Sequence, residues 1–254
     1  MAYEGTKAGT SGKYSQATVQ GSGKTQAGWG SRGVYAGGTV EPGMVDTLDY
    51  ITIGVLGNAS DFGDLIQARF SPAGSSNGER GVFGGGSGPG LQNTIDYIAI
   101  ETTNNAKDFG NLVTARQDGA ATSDGSRGIW PGGQVPSPTD DIDYVTISTL
   151  SDAVLFGNLT QARSYTTATS GGTRGVIMGG FTPPYTNTID SINIAIINSN
   201  ATDFGDLVTP TYAGGALSNG YRGIYGAGNV PPNNRVDTIN YIAIGTVGFQ
   251  APHW

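Results

Sequence analysis

Short apolar bursts, separated by polar and glycine-rich stretches, set the rhythm of this chain. In residues 93–100, Ile95, Tyr97, Ile98 and Ile100 crowd together with Thr94 and Asp96 between them. Residues 48–53, 142–147, 189–194 and 239–244 repeat that burst. β-branched and aromatic side chains dominate it, as strands favour. No window of helical length carries an apolar spacing of about 3.6 residues. In residues 48–53 one face carries Leu48, Tyr50 and Thr52, and the other Asp49, Ile51 and Ile53. Neither face is polar, so both are expected to be covered by neighbours.

Three further elements surround each burst. A small-residue stretch such as residues 73–77 comes first. An Arg-Gly strand follows and ends on a double glycine, as from Arg80 to Gly86. The apolar burst is third, and residues 108–116 show the fourth, built around Phe109. The Arg-Gly openings fall at Arg32, Arg80, Arg127, Arg174 and Arg222, spaced 48, 47, 47 and 48 residues apart. Four strands in a unit of this length make one propeller blade. A lone blade has two apolar faces and cannot bury both, whereas blades stacked around an axis do so. A β-solenoid is the alternative, but its coils are shorter and it lacks a closing device. The expected fold is all-β, a single five-bladed β-propeller over residues 13–254, preceded by a flexible arm, residues 1–12.

The ends of the chain suggest how the ring closes. Phe62, Phe109, Phe156 and Phe204 each precede the next Arg-Gly by 18 residues, and the same step back from Arg32 lands on Tyr14. At the other end the fourth strand is missing, since Phe249 follows Ile244 by five residues where Phe62 follows Ile53 by nine. An N-terminal strand around Tyr14 is therefore expected to complete the C-terminal blade, which removes open edges.

Composition narrows the chemistry. The 43 glycines and only 13 % charged residues suit short strands and tight turns. A net charge of −7, with eight of the nine arginines at repeat positions, argues against nucleic acid as a partner. The chain has no cysteine, and its single histidine is His253. No stretch of about 20 apolar residues is present to insert into a membrane. The first residues lack the layout of a signal peptide.

The units resemble kelch repeats. The likeness lies in the double glycine, in the Asp-Tyr of the third strand (Asp49-Tyr50, Asp96-Tyr97, Asp143-Tyr144), and in the fourth strand's aromatic followed by leucine and Ala-Arg. Most kelch blades carry Trp where these carry Phe. The wording of the units, Asn-Thr-Ile-Asp-Tyr-Ile as at residues 93–98 and Asn-Ala-x-Asp-Phe-Gly-Asp-Leu as at residues 58–65, further resembles repeat proteins of marine bacteriophages, especially those of cyanobacteria. That resemblance implies a virion location, as a tail-fibre or other exposed structural protein. The lack of cysteine and the single histidine exclude the copper oxidases built on kelch propellers, which need histidine ligands and a cysteine-modified tyrosine.

Candidate residues follow from the repeat. Asp49, Asp96, Asp143 and Asp190 recur on otherwise apolar strand faces and need partners. The guanidiniums of Arg32, Arg80, Arg127, Arg174 and Arg222 are the expected ones. The Asp-Phe-Gly-Asp runs (Asp61 with Asp64, Asp203 with Asp206) read as turns rather than calcium ligands, which would need six or more oxygens. The double glycines precede no helix and are not phosphate loops. No cofactor or metal is expected. The loops between double glycine and third strand vary most. Phe181, Tyr185, Asn233, Asn234 and Arg235 in them offer stacking and hydrogen bonding suited to a sugar or protein. The expectation is a non-catalytic virion protein that binds host-surface glycan or protein, other virion proteins, or copies of itself. A polysaccharide-acting enzyme using paired carboxylates and a purely architectural subunit are the alternatives.

Overall fold

A computed structural model describes residues 17–19, 31–232 and 234–245. No helix occurs among them; the strands form five small sheets arranged in a ring, a five-bladed β-propeller. The first sheet holds β1 (Ala17–Val19), β2 (Arg32–Val40), β3 (Gly43–Thr52) and β4 (Ser60–Asp64). The second holds β5 (Ala73–Ser76), β6 (Arg80–Gly84), β7 (Thr94–Ala99) and β8 (Lys107–Asn111). In the third, β9 (Thr122–Ser123), β10 (Arg127–Pro131), β13 (Asp141–Thr146) and β14 (Val154–Asn158) lie in order, with a side hairpin of β11 (Gln134–Val135) and β12 (Ser137–Pro138). The fourth comprises β15 (Thr167–Gly171), β16 (Arg174–Met178), β17 (Thr188–Asn193) and β18 (Thr202–Asp206). The fifth has β19 (Gly215–Ser218), β20 (Arg222–Gly226) and β23 (Ile239–Ala243), with a side hairpin of β21 (Asn229–Val230) and β22 (Asn234–Arg235). Every pairing is antiparallel.

Tyr14, the expected closing strand and the N-terminal arm lie outside the described residues. The neighbouring stretch Ala17–Val19 pairs with β2 as the inner strand of the first blade.

The core is divided among the joints between blades. Val82, Ile95, Phe109 and Leu112 of the second blade pack against Trp130, Val145, Ile147 and Ala153 of the third. Equivalent sets fill the first-to-second, third-to-fourth and fourth-to-fifth joints. Alternation along β7 explains the arrangement. Ile95 faces one neighbour and Ile98 the other, so both faces are covered and each buried phenylalanine contributes ~1.5–3 kcal/mol.

The glycines of the fourth strands secure the joints. A Cβ on Gly63, Gly110 or Gly157 would lie 2.6 Å or less from a carbonyl oxygen of the next blade, at Asn104, Ser151 or Ser199. Beside each, a backbone hydrogen bond crosses the joint: Ala106 N–H to Asp64, Ala153 to Asn111, Ala201 to Asn158. The Asp-Phe-Gly runs, expected as turns, lie instead within the fourth strands β4, β8 and β18, beside a register shift in the pairing with the third strand. Asp61, Asp108 and Asp203 each accept a hydrogen bond there from the glycine N–H two residues on.

Candidate functional site

The repeated charges are structural, but their partners differ from the sequence expectation. Asp96, Asp143 and Asp190 pair with Arg69, Arg116 and Arg163, the arginines that follow the fourth strand of the preceding blade, at 3.3, 3.1 and 2.9 Å. A backbone N–H from the same preceding blade, at Ile66, Val113 or Thr160, also reaches each carboxylate. Burial pushes the Asp96 and Asp143 carboxyls up and the Arg69 and Arg163 guanidiniums down, and the partner charges counter this. Asp49, in the first blade, is exposed.

Register is why the Arg-Gly arginines do not take this role. Arg80 lies opposite Ala99, whereas Asp96 lies opposite Phe83. Three residues along a strand is about 10 Å. Arg32, Arg80 and Arg222 instead lie over the rings of Tyr50, Tyr97 and Tyr241, 4.5, 4.7 and 4.6 Å from their centroids. Where that tyrosine becomes Ser191, Arg174 sits 6.0 Å over Phe204. Arg32, Arg80, Arg127 and Arg174 also donate to a carbonyl of the next blade, at Ile100, Ile147, Ile194 and Ile244.

The variable loops emerge together on one face. Antiparallel order puts the connections between second and third strands at the same end as the crossings from one blade to the next. Backbone bridges tie the two: Phe70 to Ser87, Gln117 to Gln134, Ser164 to Phe181 and Tyr212 to Asn229. Phe181 and Tyr185 meet within their loop, with ring centroids 5.4 Å apart. Tyr185 stacks on Tyr212 at 4.9 Å and 12°, and their hydroxyls hydrogen-bond each other. Tyr212 in turn meets Tyr165 edge-on at 5.9 Å. All four rings are partly exposed. Asn234 and Arg235 are exposed on the hairpin of the fifth blade, on the same face. Asn233 lies outside the described residues.

Tyr165 extends this row to the axis. Its hydroxyl hydrogen-bonds the Asp118 carboxylate, which also accepts from Ser71 Oγ at 2.8 Å. Burial raises the Tyr165 phenol to about 12, and the adjacent Asp118 charge adds to the rise. Ser71, Asp118, Tyr165 and Ala213 occupy the same place in successive blades, 47, 47 and 48 residues apart, just before each inner strand (two residues before β5, β15 and β19, four before β9). All four have left-handed backbones, with φ of 52–55°. Tyr165 N–H donates to the Asp118 carbonyl and Ala213 N–H to that of Tyr165.

Sequence reasoning brought Phe181 and Tyr185 forward and missed Tyr212, Tyr165 and Asp118. The missed signal was divergence at a fixed repeat position: the residue two after Ala-Arg is Ser, Asp and Tyr in three successive units. Among the described residues, no three His, Cys, Asp or Glu side chains cluster in a way that could hold a metal. No protein-family model matches the chain, and no curated protein matches it.

Proposed function

We propose that this propeller is a non-catalytic adhesion module of a bacteriophage particle, which recognises host-surface glycan through its loop-bearing face. The carrying observation is the row Phe181, Tyr185, Tyr212 and Tyr165, a contiguous, partly exposed aromatic surface drawn from two blades. Aromatic rings beside hydroxyls and amides suit sugars, whose C–H faces stack while their hydroxyls hydrogen-bond. The cis Pro183-Pro184 bond lies in the loop between Phe181 and Tyr185. The particle itself is suggested by the likeness of the repeat wording to phage proteins.

Purified protein should bind a subset of bacterial surface glycans on an array, and Tyr185→Ala should weaken that binding while leaving the fold intact. Loss of no signal in the variant, or absence of any glycan bound, would overturn the reading. The same glycans should be recovered uncleaved. A second reading, an architectural subunit, draws on Val55, Leu56, Leu150, Ile196 and Ile197, all exposed on the opposite face. Sedimentation analysis checks it: self-association lost on changing Leu56 and Ile196 to Ser supports it, and a monomer at all concentrations counts against it.

A further inference from the structure

Asp118 is a carboxylate of the loop face whose surroundings call for a cation. It is only 8 % exposed. Its side-chain hydrogen bonds described above come from two hydroxyls, Ser71 and Tyr165, which are neutral donors. Elsewhere this chain matches a buried aspartate with an arginine, and the three buried pairs among the described residues do not include Asp118. A carboxylate withdrawn from water is costly unless it is paired with opposite charge.

The rings point the same way. Tyr165 touches Asp118 and Tyr212 at once, so the carboxylate sits at one end of an aromatic row. The negative faces of such rings attract ammonium groups, and quaternary ammonium ions are held in aromatic surroundings. The body carries a net charge of −7, which concentrates cations at its surface and repels anions. Backbone hydrogen bonds from Tyr165 N–H to Asp118 and from Ala213 N–H to Tyr165 tie successive blades together at this position.

We propose that the axial mouth of the loop face binds an organic ammonium group, with Asp118 as its counter-ion and the rings of Tyr165 and Tyr212 as its wall. This rests on the loop face being the recognition face. It names the chemical class recognised there: a sugar bearing a free amine, rather than a neutral or acidic one. Asp118 takes one N–H or the positive charge, and the rings take the flanking C–H or N–CH3 groups.

Calorimetric titration of the whole chain with glucosamine, glucose, N-acetylglucosamine and tetramethylammonium tests the assignment. Glucosamine and tetramethylammonium should bind, and the two neutral sugars should bind about tenfold more weakly or not at all. Added salt should weaken the binding. Asp118→Asn should lower glucosamine affinity by about thirtyfold or more. Tyr212→Ala, a change at a partly exposed position, gives a second reading should Asp118→Asn fail to fold, and it should weaken both ammonium probes. Equal binding of glucose and glucosamine, or ammonium binding undiminished in the folded variants, would overturn the site. If glycans bind on the array but neither ammonium probe binds, the ammonium assignment falls and adhesion stands. If the ammonium probes bind and no surface glycan does, the reverse holds.

Discussion

The first three described joints and the fourth are built on one plan with different chemistry. At the first three, an arginine leaves the fourth strand of one blade and meets a buried aspartate of the next. At the fourth, the arginine position is Thr211 and the aspartate position is Asn240, both buried. Both members changed together, as a buried pair requires, since a lone survivor would be an uncompensated charge. Tyr225, 1 % exposed, fills the space, and its hydroxyl lies under Gly214 and Gly228. Burial pushes the Tyr225 phenol well above its ordinary value. The tyrosine row crosses directly above this neutral joint, since Tyr212 adjoins Thr211. Apolar packing is much alike at all four. The ring therefore stands on apolar contact, and the ion pairs are replaceable where both partners go.

The largest expected difference comes from removing one partner. Asp143→Ala strands Arg116 in the interior and should cost ~3–5 kcal/mol, while Asn240→Ala, which removes a neutral amide, should cost about 1 kcal/mol. Urea denaturation measures both, and equal losses would dissolve the contrast.

Next in size is a backbone test. Gly85 has φ of 69°, and a Cβ there would sit 2.6 Å from the Arg116 carbonyl oxygen. Gly85→Ala should cost ~1–3 kcal/mol. In the fifth blade the same place is Ala227, with φ of 59°. Ala227→Gly should therefore change stability by less than about 1 kcal/mol. A harmless Gly85→Ala would show that the double glycine is not set by that carbonyl.

A graft sharpens the comparison further. Thr211→Arg and Asn240→Asp should each destabilise the fold alone, and together they should recover ~0.5–3 kcal/mol of coupling. Strict additivity in a double-mutant cycle would mean that the fourth joint has lost the geometry for the pair.

The smallest effect is read by pH. The Tyr165 phenol is raised in the folded state, so the fold favours its protonated form. The stability it contributes is fully present below the ordinary tyrosine value of about 10. It is lost as pH rises from there through about 12. Ultraviolet titration should show one tyrosine ionising near that value, and Asp118→Asn should move it down. An unchanged curve would separate Tyr165 from Asp118.

The ring was legible because the period is nearly constant and both faces of the third strand are apolar. Pairings across the joints were not. Arg69 and Asp96 are 27 residues apart and belong to different blades, so aligning units with each other never brings them together. Arg80 and Asp96 do share a unit, which made the wrong partner look like the natural one. Phe181 and Tyr185 stood out in a proline-bearing loop, whereas Tyr165 and Asp118 lie in what reads as a connector. Their nearness arises only when the connectors of successive blades converge on the axis.

That convergence has a consequence for how such a molecule diversifies. The shape at Ser71, Asp118, Tyr165 and Ala213 recurs while the side chain changes each time, so the backbone tolerates exchange there without disturbing the wheel. A hub with interchangeable fittings on a repeating rim can change its surface chemistry through a handful of codon changes, leaving folding untouched.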